Sequence, residues 1–301
     1  MAGVKVIVFG ATGHVGSQVA IFAHKFGAEV VLAMRNVSAT IQGLTPELES
    51  QGFERVQADL TKLDTVKAVL QATKPKKAFL YLVQRTPDHM EAVIQALKDE
   101  GVDNVVFLSS FLLDSLENVP QSSPIAWAEA QVELNLRKHF PGYISLRPGG
   151  FATNILRWKP YGEEVRLYGP DHTSDFITNT DIGEVGARVL IDGSNQQAIY
   201  LHGSALITQQ DAINDIGKVF NKQIKLISLD KKEGISVLEQ LGIPKPVATY
   251  LANGSANWEE VLDADKFKEG QKNIEKYTGH PPTTFVDWVS TNRELFQKPT
   301  A

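Results

Sequence analysis

The 301-residue chain contains no cysteine. That excludes disulfide bonds, thiol nucleophiles and thiolate metal ligands. Long apolar runs are missing too, and no stretch approaches the ~20 residues of a bilayer span. Positive charge is not in excess: 30 Lys and Arg stand against 35 Asp and Glu, a net charge of −5. Nothing in that balance argues for nucleic acid or an anionic membrane as partner. The histidines, at 14, 24, 89, 139, 172, 202 and 280, fall at no metal-ligand spacing, so no metal is expected. A G-x-S-x-G nucleophile elbow is absent. The first residues enter a strand pattern with no leader architecture, which makes the cytoplasm the expected location. No internal repeat or low-complexity tract interrupts the chain. What remains is an ordinary soluble composition, 43% apolar and 22% charged. The length fits one large α/β domain or a domain plus a smaller lobe.

The informative stretch is VKVIVFGATGHVG at residues 4–16. Val4, Val6, Ile7, Val8 and Phe9 form a β-branched and aromatic run suited to a strand covered on both faces. Gly10, Gly13 and Gly16 follow as G-x-x-G-x-x-G, ahead of a helix predicted over 14–26. The first glycine permits the tight turn, the second lets the backbone approach a phosphate, and the third lets the helix pack on the strand. The helix then offers free N–H groups and its positive dipole end to that phosphate. A strand before and a helix after are the context that a dinucleotide-binding turn requires.

Further strands are predicted at 29–34, 53–57, 77–83 and 104–110, with helices at 61–73 and 87–100, the latter with Pro87 in its first turn. The alternation predicts an α/β fold, a Rossmann-type doubly wound parallel sheet with ligands at the carboxyl ends of its strands. At those ends stand Arg35 and Asn36, Asp59 and Leu60, Gln84 and Arg85, and Ser109 and Ser110. An acid after the second strand would bond both ribose hydroxyls. Arg35 instead offers a charged fork to a 2′-phosphate, with Asn36 and Ser38 adding hydrogen bonds, so NADP(H) is expected over NAD(H). Asp59 suits the adenine amino group and Leu60 the ring, while Asp59 equally suits the N-cap of the next helix. Ser109 is expected beside the nicotinamide.

A helix at 124–139 and a strand at 143–146 lead to Arg147-Pro148-Gly149-Gly150-Phe151. Residues 152–175 read as loops. A short strand is expected at 176–178, a helix at 182–191 capped by Asp181, and a strand at 198–201. Helices at 211–220, 231–241, 244–253 and 284–296, a strand at 224–229 and mixed helix and loop over 258–277 complete the pattern. Residues 1–151 are thus expected to form the NADP(H)-binding domain, its sheet completed by 175–204. Residues 152–174 and 205–301 are expected to form a smaller α+β substrate lobe.

GATGHVG at 10–16, Arg35, Ala58-Asp59-Leu60, the Ser109-Ser110 strand end, LRPGGF at 146–151 and YTGHPPTTFVDWV at 277–289 resemble the NmrA-like branch of the atypical short-chain dehydrogenases, over nearly the whole chain. The resemblance implies an NADP(H)-binding Rossmann domain with a small C-terminal lobe over the nicotinamide. Members of this group include reductases, fungal natural-product tailoring enzymes and redox-sensing regulators that bind cofactor without turnover. Carried over residue by residue, Gly10, Thr12, Gly13, His14, Val15 and Gly16 would hold the pyrophosphate and Arg35 the 2′-phosphate. Asp59 and Leu60 would hold the adenine, Val83 and Gln84 the nicotinamide ribose, and Pro148, Gly149, Gly150 and Phe151 the nicotinamide.

One departure bears on the chemistry. Short-chain dehydrogenases commonly carry Tyr-x-x-x-Lys on the helix after the fifth strand. Here that spacing holds Trp127 and Gln131, and no lysine lies between Lys98 and Lys138. An indole N–H does not ionise usefully and Gln carries no charge, so ketone reduction by a tyrosine acid is disfavoured. Hydride transfer to an iminium or a polarised alkene needs no such tyrosine. Trp127, Gln131 and Glu129 are the candidate catalytic residues. Asp114, Glu117, His172 and Asp175 are further acid–base candidates, and Glu133 reads as a helix-surface charge or a cap contact. The aromatic set Phe111, Trp127, Phe151, Trp158, Tyr161 and Tyr168, with Asn154, is expected around a pocket for a bulky hydrophobic small molecule. Three functions are compatible with these features: an NADP(H)-dependent oxidoreductase acting on such a molecule, for example a natural-product imine; a nicotinamide-assisted cyclase; and a non-catalytic NADP(H) sensor.

Overall fold

The computed structural model describes residues 3–84, 86–254 and 263–297. Period-two alternation along the first strand decides how the layers form. In β1 (Lys5–Phe9), Val6 and Val8 face one side and Ile7 and Phe9 the other, and all four are buried. The same double burial recurs in β2 (Glu29–Met34), β4 (Lys77–Tyr81) and β5 (Asn104–Leu108). With β3 (Phe53–Gln57), β6 (Ile144–Pro148), β7 (Glu164–Tyr168), β8 (Thr173–Ser174), β9 (Ala198–Leu201), β10 (Ile207–Thr208) and β11 (Lys225–Leu229), these are the strands of the described residues. Seven of them form one parallel sheet of order β3-β2-β1-β4-β5-β6-β9.

Helices α1 (His14–Lys25), α2 (Pro46–Glu49), α3 (Leu63–Thr73), α4 (Glu91–Asp99), α5 (Pro124–His139) and α6 (Asn179–Asp192) follow the strands in turn. Val15 and Val19 of α1 and Val185 and Val189 of α6 cover the Val6 face. Val66 and Leu70 of α3, Ile94 and Leu97 of α4 and Val132 and Leu136 of α5 cover the Ile7 face. Each such side chain contributes about 1.5–3 kcal/mol through burial. The winding direction reverses between β1 and β4, the point beside which sheets of this kind bind ligands at their carboxyl ends.

The lobe has its own core, in which Ile155, Val165, Leu167, Ile213, Phe285 and Trp288 pack together. Its elements are the parallel pair β7–β11, the antiparallel pair β8–β10, and helices α7 (Gln209–Phe220), α8 (Lys231–Gln240) and α9 (Lys245–Gly254).

Several expectations change in detail. Residues 152–175 hold a 3-10 turn, Ala152–Trp158, and the strands β7 and β8 rather than loops alone. The expected strand at 176–178 shrinks to a single bridge between Phe151 and Ile177. Helix α4 starts at Glu91 and excludes Pro87, because the Asp88 carboxylate takes the Met90 and Ala92 N–H groups and starts the helix there. Thr178, not Asp181, caps α6; the Asp181 carboxylate instead accepts the N–H and O–H of Thr283. The closing segment breaks into Phe285–Thr291 and a 3-10 turn, Arg293–Phe296. The helix Ala264–Thr278, expected in the lobe, packs on β9 and α6 with Ile274 in the sheet core. Arg85 and the start of the mixed segment at 258 lie outside the described residues.

Candidate functional site

Strand β1 ends in a turn that only glycine accommodates. Gly10 has φ +73°, and a Cβ on it would lie 2.6 Å from the Tyr81 ring. A Cβ on Gly16 would lie 2.3 Å from the Gly10 carbonyl oxygen. The Gly13 N–H closes the turn onto that same oxygen at 2.8 Å. Helix α1 then starts with neither a side-chain cap nor an acid in its first turn. Its first N–H groups are left to an outside acceptor, the arrangement a phosphate fits. Thr12, Gly13 and His14 are exposed here, whereas the Val15 side chain is in the core. The His14 ring turns aside to Gln42 Oε1 at 3.1 Å.

At the end of β2, Arg35 is exposed and its guanidinium has no ion pair among the described residues. Asn36 Oδ1 accepts the Ser38 N–H at 3.0 Å and shapes the loop. Asp59 is not the cap of α3, whose N-cap is Lys62. Its Oδ1 accepts the N–H and O–H of Thr61 at 2.9 and 2.7 Å. Those bonds, helped by Lys62 and Arg35, hold its carboxyl below the usual carboxylate range. Leu60 is buried in the core with its side chain among α3 residues.

Helix α5 carries two buried carboxyls one turn apart, Glu129 and Glu133. Residues four apart share a helix face. Glu133 is 1% exposed, which overturns its reading as a surface charge. It accepts hydrogen bonds from Ser109 Oγ at 2.7 Å, Ser145 Oγ at 2.6 Å, Tyr143 OH at 2.9 Å and Arg147 Nη2 at 3.0 Å. Four donors offset the desolvation of the buried group. The Ser109 hydroxyl is therefore committed inward, although its residue borders the cleft described next. Glu129 is also buried, but its Oε2 has no partner. Burial, then the nearby Glu133 charge, push its acid well above the ordinary carboxylate range, and Arg147 offsets only part.

A cleft of about 580 Å³ opens at the carboxyl ends of β5 and β6. Its sheet side is formed by Gln84, Ser109, Phe111, Ile125, Glu129 and the turn Pro148, Gly149, Gly150 and Phe151. Asn154, Arg157, Trp158, Tyr168 and His172 form the lobe side, and Leu238, Leu241, Ile243 and Val247 of the α8–α9 segment close it with an apolar wall. Asp175 holds the Gly149-Gly150 turn. Its carboxylate accepts the Gly150 and Gly203 N–H groups at 2.7 and 3.0 Å and pairs with His202 Nδ1 at 2.9 Å. A Cβ on Gly149 would sit 2.0 Å from Asp175 Oδ2, so this turn also requires glycine. Asp175 is thus a structural anchor, engaged on both oxygens and away from the cleft wall. Trp158 Nε1 donates to Gln209 Oε1 at 2.7 Å, and the Gln209 amide donates to the Tyr168 and Gly169 carbonyls. His172 stands edge-on to Tyr168, and burial lowers its pKa.

Trp127, Gln131 and Tyr161 do not line this cleft. The Trp127 ring packs edge-on against His89, with centroids 5.1 Å apart. Helical geometry explains the miss: positions two apart on a helix point about 200° away from each other. The face that reaches the site is Ile125 and Glu129, continued inward by Glu133. Val83 is also off the wall, its N–H directed to the Met90 sulfur. Asp114 forms an ion pair with Lys266 that lowers its pKa, and Glu117 pairs with Arg137 at 3.7 Å. Neither acid borders the cleft. No group of three or more His, Asp or Glu among the described residues is placed to hold a metal ion.

The family model described as the NmrA-like family matches residues 3–295. The chain belongs to the NmrA-like family. A nitrogen metabolite regulation-like protein, bik4, of Gibberella fujikuroi is 30% identical to it across 95% of each chain. A (4-alkanoyl-5-oxo-2,5-dihydrofuran-3-yl)methyl phosphate reductase of Streptomyces griseus is 24% identical, over 97% of this chain and 99% of that one. Among solved structures, an NADPH-dependent quinone oxidoreductase of Escherichia coli complexed with NADPH superposes with a TM-score of 0.71 at 23% identity, over 95% of this chain and 99% of the other. A Citrobacter triphenylmethane reductase complexed with NADP(H) gives 0.69 at 17%, over 96% and 99%. At these identities the likeness is one of fold.

In this NmrA-like chain, three parts of the site went unread in the sequence: Arg157, the donors around Glu133, and the apolar wall from α8 and α9. Arg157 had a signal, as a lone cation in the apolar run ATNILRW next to Trp158. The donors around Glu133 had none, because Ser109, Tyr143, Ser145 and Arg147 converge only once β5 and β6 are paired.

Proposed function

We propose that the protein is an NADP(H)-dependent oxidoreductase that transfers a hydride to or from an apolar small molecule, with Glu129 as the proton donor. The observation that carries this reading is the partnerless, buried carboxyl of Glu129 on the wall of a cleft at the same sheet edge as the uncapped glycine turn. Gly10 to Gly16 would hold the pyrophosphate on the α1 N-terminus. Arg35 would hold the 2′-phosphate, and the Gly149-Gly150 turn would border the nicotinamide. The sheet half binds cofactor on this reading, and the lobe closes over substrate. When bound, the reduced nicotinamide supplies a hydride. Glu129, whose pKa burial raises, would hold a proton and give it to the substrate atom that gains electron density. The apolar α8–α9 wall excludes water from that transfer. A tyrosine–lysine pair is not required, because an uncharged carboxylic acid replaces it on the neighbouring helical face. The relatives named as reductases support this reading. No helix among the described residues is long and apolar enough to cross a membrane.

Calorimetric titration with NADP⁺ and NAD⁺ tests the cofactor half. Tighter NADP⁺ binding is expected, and Arg35→Ala should remove the preference, a loss of roughly tenfold or more for a charge-assisted phosphate contact. Equal affinities in the unaltered protein would refute the role of Arg35. A chain that binds NADP⁺ but oxidises NADPH with no acceptor from a panel of quinones, enones and imines would instead act as a sensor, the reading that the name of the Gibberella fujikuroi relative favours. Cyclised product formed without net cofactor oxidation would mark a cyclase.

A further inference from the structure

Arg157 is the anomalous group in the cleft. It is the last residue but one of the 3-10 turn Ala152–Trp158 and lines the wall between Asn154 and Trp158. Six other arginines among the described residues reach an acceptor: Arg55, Arg137, Arg147, Arg166 and Arg188 pair with carboxylates, and Arg293 donates to the Val219 carbonyl. Arg157 has neither an ion pair nor a hydrogen bond among the described residues. Burial lowers its pKa, and no carboxylate lies near enough to counter that shift. Arg157 also borders a second hollow with Glu164, Asp230 and Glu233. Those acids are engaged elsewhere: Glu164 with Lys225 at 3.6 Å, Glu233 with Arg166 at 3.4 Å, and Asp230 in the capping box of α8. Inside the cleft the one acid is Glu129, whose pKa burial raises, so that it is a poorer counter-ion than an ordinary carboxylate. Arg157 is half-buried and faces the cleft with no acceptor of its own, so a ligand oxyanion seated there would gain a charge-assisted bond that the protein does not supply.

We infer that the cleft recognises an organic anion: an apolar body seated on Leu238, Leu241, Ile243 and Val247, with a carboxylate or comparable oxyanion on Arg157. The inference rests on the reading of this cleft as the substrate site. It runs against a cationic imine as substrate, since an iminium would meet an uncompensated like charge.

A matched pair of dyes tests it. 8-Anilinonaphthalene-1-sulfonate carries the anion, and N-phenyl-1-naphthylamine is the same apolar body without it. In fluorescence titrations the sulfonate is expected to bind the unaltered protein more tightly. Arg157→Gln should weaken the sulfonate by about tenfold or more and leave the neutral dye unchanged. Arg157→Lys should retain part of the preference, and it supplies the comparison if the Gln variant does not fold. Decanoate should displace the sulfonate, and decylammonium should not. Equal affinity for the two dyes, or a loss shared equally by both in the variants, would overturn the inference. NADP⁺ titration of the same samples separates the two readings. NADP⁺ binding without an Arg157-dependent dye preference sinks only the anion site, while the preference without NADP⁺ binding sinks only the cofactor reading.

Discussion

Glu129→Gln separates a proton-holding carboxyl from an ordinary buried charge. Glu129 is 6% exposed, its Oε2 is unpartnered, and Glu133 lies one turn away on the same helix. Burial raises its acid well above the ordinary range. In the unfolded chain a glutamate releases its proton near pH ~4.3. Between that pH and its folded value, the native state therefore binds one proton more than the unfolded state. The stability associated with this group is fully present below the unfolded value and falls as pH rises, by about 1.4 kcal/mol per pH unit. As pH rises from 5 towards the folded value, the unaltered protein should lose stability relative to Glu129→Gln. The buried amide of Gln carries an unsatisfied-group penalty of its own, about 1–3 kcal/mol, but that penalty does not depend on pH. The slope is thus the diagnostic quantity, and all other titrating groups cancel between the two proteins. Urea unfolding at pH 5, 6 and 7, without cofactor, measures it. Parallel stability profiles for the two proteins would refute a raised Glu129 pKa and, with it, the proton donor. Turnover of Glu129→Gln should also fall, by the roughly 10²–10⁴-fold typical of a lost general acid.

Two other perturbations bear on the same helix. Glu133→Ala leaves Arg147, Ser109, Ser145 and Tyr143 without their shared acceptor, and breaking such a buried pair costs about 3–5 kcal/mol; a lowered urea midpoint would register it, and an unchanged midpoint would contradict the burial of the network. Trp127→Phe should leave turnover within about twofold, because the ring packs on His89 outside the cleft and surface-side changes are small; a tenfold loss would return the indole to the site.

The sheet was legible because its signal is local. The apolar runs of β1, β2, β3 and β9 have the expected bounds to within a residue, and the glycine spacing marks the turn from its own chemistry. The lobe was less legible for a physical reason. Strand β7 is EVRLY, a five-residue alternation whose partner β11 lies some sixty residues downstream, so nothing local distinguishes it from a loop. The site divides in the same way. Residues at strand ends, such as Pro148 to Phe151, could be placed by topology. Residues on α5 required the rotation of the helix about its axis, and a two-residue error there exchanges the inner face for the outer one. The buried position of Glu133 followed the same error: a glutamate on a helix is usually solvated, and only convergence of four donors from two other segments makes its burial possible.

Once α5 is oriented, Glu129 and Arg157, which both border the cleft, constrain each other. An ionised Glu129 would repel an oxyanion seated on Arg157 and weaken the one charge complementarity that the cleft offers. A neutral Glu129 permits it. By linkage, a bound anion must raise the Glu129 pKa further, since the like charge disfavours ionisation. The proton donor is therefore most firmly protonated when substrate is present. Affinity for an anionic ligand should fall as pH rises through the Glu129 pKa, and Glu129→Gln should remove that fall while leaving the contribution of Arg157 intact. This coupling gives the missing tyrosine–lysine pair a physical sense. A lysine beside the nicotinamide would favour ionisation of its acid partner, whereas at Glu129 burial outweighs the nearby Arg147 and raises the pKa.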